Sequence, residues 1–280
     1  NHTNIVYLAK NDEVLIDRGE PASNTAWNTD RSLLNVEDIV DFANTVDLDD
    51  VREILDRQIN YNMAIAEEGL KNDWGANVGS TLLKYQGNNV RTRAKAWAAA
   101  GSDARMSGCE LPVMINSGSG NQGIASSVPI AVYAEELGAS HDKMLRALIV
   151  SDLCTDYQKA QIGVLSAYCG AISAGIGAAC GIAYLYDETP DIIGHTLQNA
   201  VVVISGIVCD GAKASCAARI ASAIEAGLVG YDMAKNGQFF VGGDGICGKT
   251  VDDTVRNVGR LAQEGMDETD RVILDIMVND

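Results

Sequence analysis

Cys169, Cys209 and Cys216 lie in the most apolar, small-residue-rich part of a 280-residue chain, where packing alone does not call for thiols. The last two frame the run Cys209-Asp210-Gly211-Ala212-Lys213-Ala214-Ser215-Cys216. On one continuous helix they would stand about 10 Å apart along the axis, too far to grip one compact cluster. A turn at Asp210-Gly211 resolves this. It lets Cys209 fold back over the first turn of a helix carrying Cys216, whose N-terminus favours thiolates and an anionic centre. The bland alternative is that buried cysteine is an ordinary small hydrophobe, and spacing alone does not decide between the two. The chain has seven cysteines, an odd number without pairwise spacing, which argues against a secreted disulfide framework and for metal or redox chemistry in a reducing cytoplasm.

A second constellation is Ser117-Gly118-Ser119-Gly120-Asn121-Gln122-Gly123. At a loop-to-helix junction its backbone amides and small polar side chains can cradle a phosphate or a carboxylate. It lacks the Lys-Ser or Lys-Thr ending of a nucleotide-binding P-loop and follows no obvious parallel strand, so a nucleotide is a poor match. A plain glycine-rich turn is the alternative. Among the three histidines, His141 and His195 read as helix-face residues, whereas His2 shares a polar triplet with Asn4 at a strand entry. The late loop Gly242-Gly243-Asp244-Gly245-Ile246-Cys247 reads as a cover over the core.

The elements that must position these residues are mainly helical. Aromatics make up 5% of the chain while glycine numbers 28, so the core is built by close approach of small-residue helices. Alternation around Lys10-Asn11-Asp12-Glu13 predicts a short N-terminal β-hairpin, the edge of a sheet whose other strands are absent. Apolar spacing predicts helices over 32–45, with Ser32 as cap, and over 48–70, then over 75–87 and 90–100. Gly101 to Arg105 and the Ser117 to Gly123 segment read as turns, and the next helix is interrupted or restarted at Pro129. Helices follow over 141–156, 189–208, 213–236, 250–264 and 266–279. The stretch from Ala160 to Tyr186 carries no charged side chain and exceeds the ~20 residues that span a bilayer. Its Ala, Gly and Ser content fits a buried central helix instead. The net charge of −17 disfavours nucleic acid and anionic membranes as partners. No signal peptide opens the chain, and a start without methionine reads as that of a fragment or a processed chain.

Taken in order, His2-Thr3-Asn4-Ile5-Val6, Ser102-Asp103-Ala104-Arg105-Met106, Leu111-Pro112-Val113-Met114 running into the Ser117 loop, and the Cys209–Cys216 run resemble the iron-sulfur L-serine dehydratase/L-cysteine desulfidase family. The resemblance extends over essentially the whole chain and is nearest to the cysteine-desulfidase branch. It implies a [4Fe-4S] cluster held by Cys169, Cys209 and Cys216 with one iron open to substrate. Cys109, Cys154, Cys180 and Cys247 match no ligand position. It further implies α,β-elimination of L-cysteine or L-serine to pyruvate and ammonia. Ser117, Gly118, Ser119, Gly120, Asn121 and Gln122 would then bind the amino acid's polar ends, with Arg105, His2 and Asn4 as further substrate contacts and Lys213 balancing cluster charge. The family's upstream half, with the cysteine implicated in proton transfer, is not found here. Residues 1–20 would thus be the residual hairpin of an upstream α/β half and 21–280 the cluster-binding domain, the missing part coming from a second chain or lost by truncation. Two rival readings stand: a pyridoxal-phosphate-dependent lyase, for which no lysine motif is found, and a non-enzymatic helical partner subunit. A homodimer is compatible with the sequence, though no specific feature argues for it.

Overall fold

A computed structural model describes residues 5–19, 30–163 and 166–279. Two compact units divide the chain, 1–33 and 34–280. In the first, β1 (Tyr7–Lys10) and β2 (Glu13–Asp17) pair antiparallel around Asn11, whose φ of 53° is the left-handed turn conformation that asparagine tolerates. This is the predicted hairpin. His2 and Asn4 lie outside the described residues.

The second unit is helical. It comprises α1 (Val36–Thr45), α2 (Leu48–Lys71), α3 (Val78–Gln86), α4 (Val90–Met106), α5 (Gly120–Leu137), α6 (His141–Ile162), α7 (Gly170–Leu185), α8 (Pro190–Ile204), α9 (Cys216–Lys235), α10 (Val251–Arg260) and α11 (Asp267–Asn279). A π-helical turn over Leu261–Gly265 joins the last two. Most starts are capped locally: Asn89, Ser140, Thr189 and Thr250 each accept a backbone N–H from the first turn that follows. Helix α7 is the axis of the unit and packs on α5, α6, α8 and α9. It can do so because a Cβ on Gly175 would press on Ala223 of α9, and one on Gly177 would overlap Ser151 and Thr155 of α6. Small residues let the backbones approach, which is how a chain poor in aromatics fills its core. Among the described residues, no helix is long and apolar enough to cross a membrane.

Four local expectations are corrected. Helix α1 is capped by Asn35, which accepts from the Asp38 N–H at 2.9 Å; Ser32 turns to Asp30 instead. Gly101 to Arg105 is no turn but the last part of α4. Its polar residues serve tertiary contacts, with Asp103 accepting from the N–H groups of Ala76 and Val78 at the start of α3. Pro129 does not break α5, which runs through it; the nearby Ser126 carbonyl accepts a hydroxyl from Ser151 of α6. The uncharged 160–186 stretch is two elements, because α6 stops at Gly163 (φ 91°) and α7 starts at Gly170. Between them Tyr168 forms an isolated antiparallel bridge with Val208, a long-range pairing that local periodicity does not carry.

Candidate active site

That bridge positions the thiols. The Cys169 N–H donates to the Ile207 carbonyl at 3.1 Å and the Cys209 N–H to the Ala167 carbonyl at 2.6 Å, so the two cysteines come from paired segments. Cys169 is also the N-cap residue of α7, and Cys216 is the first residue of α9. Gly211, at φ 88°, makes the turn between Cys209 and α9. Two thiols therefore sit at the positive ends of packed helices and the third lies between them.

Their protons are linked. Cys169 shares a hydrogen bond with Cys209, which together with burial pushes the Cys169 thiol far up, while the same bond, the Gly211 N–H and the Arg219 charge bring Cys209 down to about 6. Of the two, Cys209 is the one on which the Gly211 N–H and Arg219 favour a negative charge. Cys216 lies close enough for its charge to act on Cys169, Arg105 and Arg219. Arg219, one turn into α9, is clamped by Asp210 through two hydrogen bonds, one of 2.9 Å from Nη2. This pair was not foreseen from the sequence. Its signal is present there, since Arg219 follows Cys216 by three residues on a helix and so shares its face. Lys213 is exposed beside the turn, and its carbonyl accepts the Cys216 N–H.

Two side chains tie the glycine-rich loop to these thiols. Asn116 and Ser119 exchange backbone hydrogen bonds of 3.2 and 3.0 Å, closing a turn that delivers Ser119 as N-cap of α5. Arg105, at the end of α4, lies across Gly120, where an added Cβ would meet Nε at 2.5 Å, and donates to Asn121 Oδ1 at 3.2 Å. Burial lowers the pKa of its guanidinium and Cys216 raises it. Gln122 fills the space beside Gly170, 2.7 Å from where a Cβ would sit, next to the Cys169 cap. It is 7% exposed and its Oε1 has no hydrogen-bond partner. An unpartnered buried acceptor is costly unless a ligand or water completes it. The first turn of α5, the first turn of α7 and the first turn of α9 thus come together, with Arg105 and Arg219 as cations among them.

Among the described residues, no three His, Cys, Asp or Glu side chains converge closely enough for a single metal ion. A tetrahedral ion with bonds of about 2.3 Å draws its sulfurs within about 4 Å of one another. The donor set, three soft thiols of which two stand at helix N-termini, with two guanidiniums nearby, fits the charge and ligand type of an anionic iron-sulfur cluster. Of the four remaining cysteines, Cys109 packs half-buried against the core, Cys154 and Cys180 share a hydrogen bond within it, and Cys247 accepts from Gln198 at 3.1 Å. His141 pairs with Asp56, and His195 stacks on Phe239 at 3.9 Å; neither meets the thiols among the described contacts. A cavity of about 660 Å³ opens among the first turns of α1, α8 and α10, but its rim of Glu37, Asp38, Asp191 and Asp252 opposes an anionic ligand and it is away from the thiols.

The profile of the family described as serine dehydratase alpha chain matches residues 10–275. The chain belongs to this family. It is 54% identical over 278 residues to a UPF0597 protein of Desulfitobacterium hafniense, covering 99% of this chain and 65% of that protein. A UPF0597 protein of Lachnoclostridium phytofermentans is 52% identical over 278 residues (99% and 66%), and one of Treponema denticola 47% identical over 285 residues (100% and 66%). The chain thus spans about 65% of the length of the curated relatives it matches. No solved structure matches it.

Proposed function

We propose that this chain is the cluster-binding half of an iron-sulfur lyase of the cysteine-desulfidase branch, acting on L-cysteine or L-serine by α,β-elimination. The products are pyruvate and ammonia, with sulfide or water. The observation that carries the reading is the gathering of Cys169 and Cys209 on paired segments beside Cys216 at the start of α9, flanked by the Asp210-clamped Arg219. Cys169, Cys209 and Cys216 would hold a [4Fe-4S] cluster, which when bound supplies a Lewis-acidic iron for the leaving group.

The chain's own residues do the rest of the work available to them. The N–H groups at the start of α5 and the Arg105 guanidinium receive the substrate carboxylate. Ser117, Gly118, Ser119, Gly120, Asn121 and Gln122 shape the cradle, with Gln122 Oε1 as an acceptor for a substrate donor. His2 and Asn4 are assigned a substrate contact on the family resemblance alone. Arg219 adds to the groups that favour the Cys209 thiolate, the form that ligates metal. Residues 21–280 form the cluster-binding domain in this reading, 1–20 belong to an upstream half, and the complete reaction draws on that half or on a second chain. A reducing cytoplasm is the location that supports keeping these thiols free for a cluster.

Iron and acid-labile sulfide per chain, measured with a visible spectrum after anaerobic reconstitution, test the proposal. Matched iron and sulfide near four per chain are expected, with loss in each of Cys169→Ser, Cys209→Ser and Cys216→Ser. Iron content indifferent to all three substitutions overturns the cluster assignment. Pyruvate formation that is blocked by hydroxylamine and survives iron chelation would replace it with the pyridoxal-phosphate lyase.

A further inference from the structure

The C-terminal segment braces both thiol-bearing stretches. Ser166 Oγ accepts the Tyr168 N–H at 3.0 Å and donates to the Ala262 carbonyl at 2.9 Å, inside the π-helical turn that joins α10 to α11. Cys169 is the next residue after Tyr168. A π turn bonds residue i to i+5 rather than i+4, so the helical register slips by one residue and a carbonyl is left for an outside partner. Ala262 is 3% exposed and packs in the core, which fixes that acceptor in place. The turn is seated on the end of α6 as well: a Cβ on Gly259 would stand 2.5 Å from Gln161 Cβ, and Gln263 Nε2 donates to the Gln161 carbonyl.

The far end of the same segment reaches the other thiol stretch. Met277 Cε of α11 lies 3.9 Å from where a Cβ on Gly211 would sit, in the turn between Cys209 and Cys216. Helix α11 has no buried residue and packs chiefly on the π turn, so the hold on the thiols rests with that turn. Through Ser166 it acts on the backbone just ahead of α7. The Tyr168 and Cys169 amides are consecutive, and they are pinned from two parts of the chain: Tyr168 through Ser166 to Ala262, and Cys169 directly to the Ile207 carbonyl. The direction in which Cys169 leaves the bridge toward Cys209 is set between these two anchors.

Resting on the reading that these thiols act together, we propose that Ser166 is a positioning residue for Cys169, its hydroxyl tying the Tyr168 backbone to the π turn and so holding Cys169 within reach of Cys209. Removing the hydroxyl takes away one partner from the Tyr168 N–H and one from the buried Ala262 carbonyl, and the segment turns to recover them. The C-terminal turn thus belongs to the thiol site, although it contributes no ligand to it.

Dibromobimane tests this on the metal-free 280-residue chain. It bridges two thiols only where both can reach it, and fluoresces once each arm has exchanged bromide for sulfur. With the Cys169–Cys209 link located by peptide mass, Ser166→Ala should lower its yield at least ~3-fold, and Ser166→Thr, which keeps the hydroxyl, should restore it. Ser140→Ala removes a cap at the opposite end of α6; it should lower the melting temperature comparably and leave the link at the wild-type yield. An unchanged yield in Ser166→Ala, an equal loss in Ser140→Ala, no recovery in Ser166→Thr, or a wild type that forms no such link overturns the proposal. Iron per chain after anaerobic reconstitution tells this apart from the lyase reading. Links that follow the expected pattern in a chain that takes up no iron defeat the cluster alone, and iron uptake by a wild type that forms no link defeats the positioning role alone.

Discussion

Asp152 carries a stability consequence of its own. Its carboxyl is raised to about 6 in the fold, above the ordinary value of about 4 in an unfolded chain. The protonated form is therefore favoured by folding, so this contribution is fully present below pH 4 and is lost as pH rises through 6. Asp152→Asn keeps Oδ1 as acceptor for Gln58, Ser126 and Asn116, so the fold should survive. Denaturant unfolding at pH 4 and pH 7.5 should show wild type losing about 2–3 kcal/mol more than the variant over that interval. An identical pH dependence in the two proteins would show that Asp152 is ordinary. At the same scale, Arg219→Met should lower the iron retained after reconstitution, with partial recovery in Arg219→Lys, measured as iron per chain against wild type. The three thiols are legible in the sequence because cysteine is conspicuous in an Ala/Gly-rich core. Arg219 and Asp152 are not, since a charged residue at helical spacing reads as a solvated face until the neighbouring helix is known.

Helices α4 and α5 show what an element can and cannot reveal alone. Starts near Val90, His141, Thr189 and Thr250 are legible because each is set by a cap a few residues away. The continuation of α4 through Gly101 to Arg105, and the split of the uncharged stretch at Gly163, depend on partners far along the chain. Asp103 reaches back to α3, and Tyr168 pairs with Val208. Close helix contact supplies a sharper test. A Cβ on Gly123 would overlap the Met114 carbonyl oxygen, and Gly123 immediately follows Gln122. Gly123→Ala should displace the first turn of α5 and cost about 1–3 kcal/mol of stability. Thermal melting would register the loss, and an unchanged melting temperature would mean the turn yields freely. Gly138→Ala, at a left-handed position with nothing within 4 Å, is the control for backbone strain without crowding.

For the molecule as a whole, a net charge of −17 is self-repelling, and most acidic residues lie on the surface. Added salt should raise the melting temperature between about 0.01 and 0.15 M, where the screening length falls from about 30 to 8 Å, and change it less beyond. A fall over that range would mean that surface ion pairs such as Arg52–Asp142 outweigh the repulsion. The bridge between Tyr168 and Val208 bears on the order in which the molecule opens. It closes a loop of roughly 40 residues, at an entropic cost on the order of 3 kcal/mol, and backbone bonds at Cys169 and Cys209 are its fastening. In hydrogen-exchange terms, the Cys169 and Cys209 amides, fastened only by this long-range pairing, should exchange faster than the amides in the middle of α7; equal protection would show that the bridge opens only with the core. A ligand that joins the two segments would move those amides into the slow-exchanging class and make the site the clasp of the helical core.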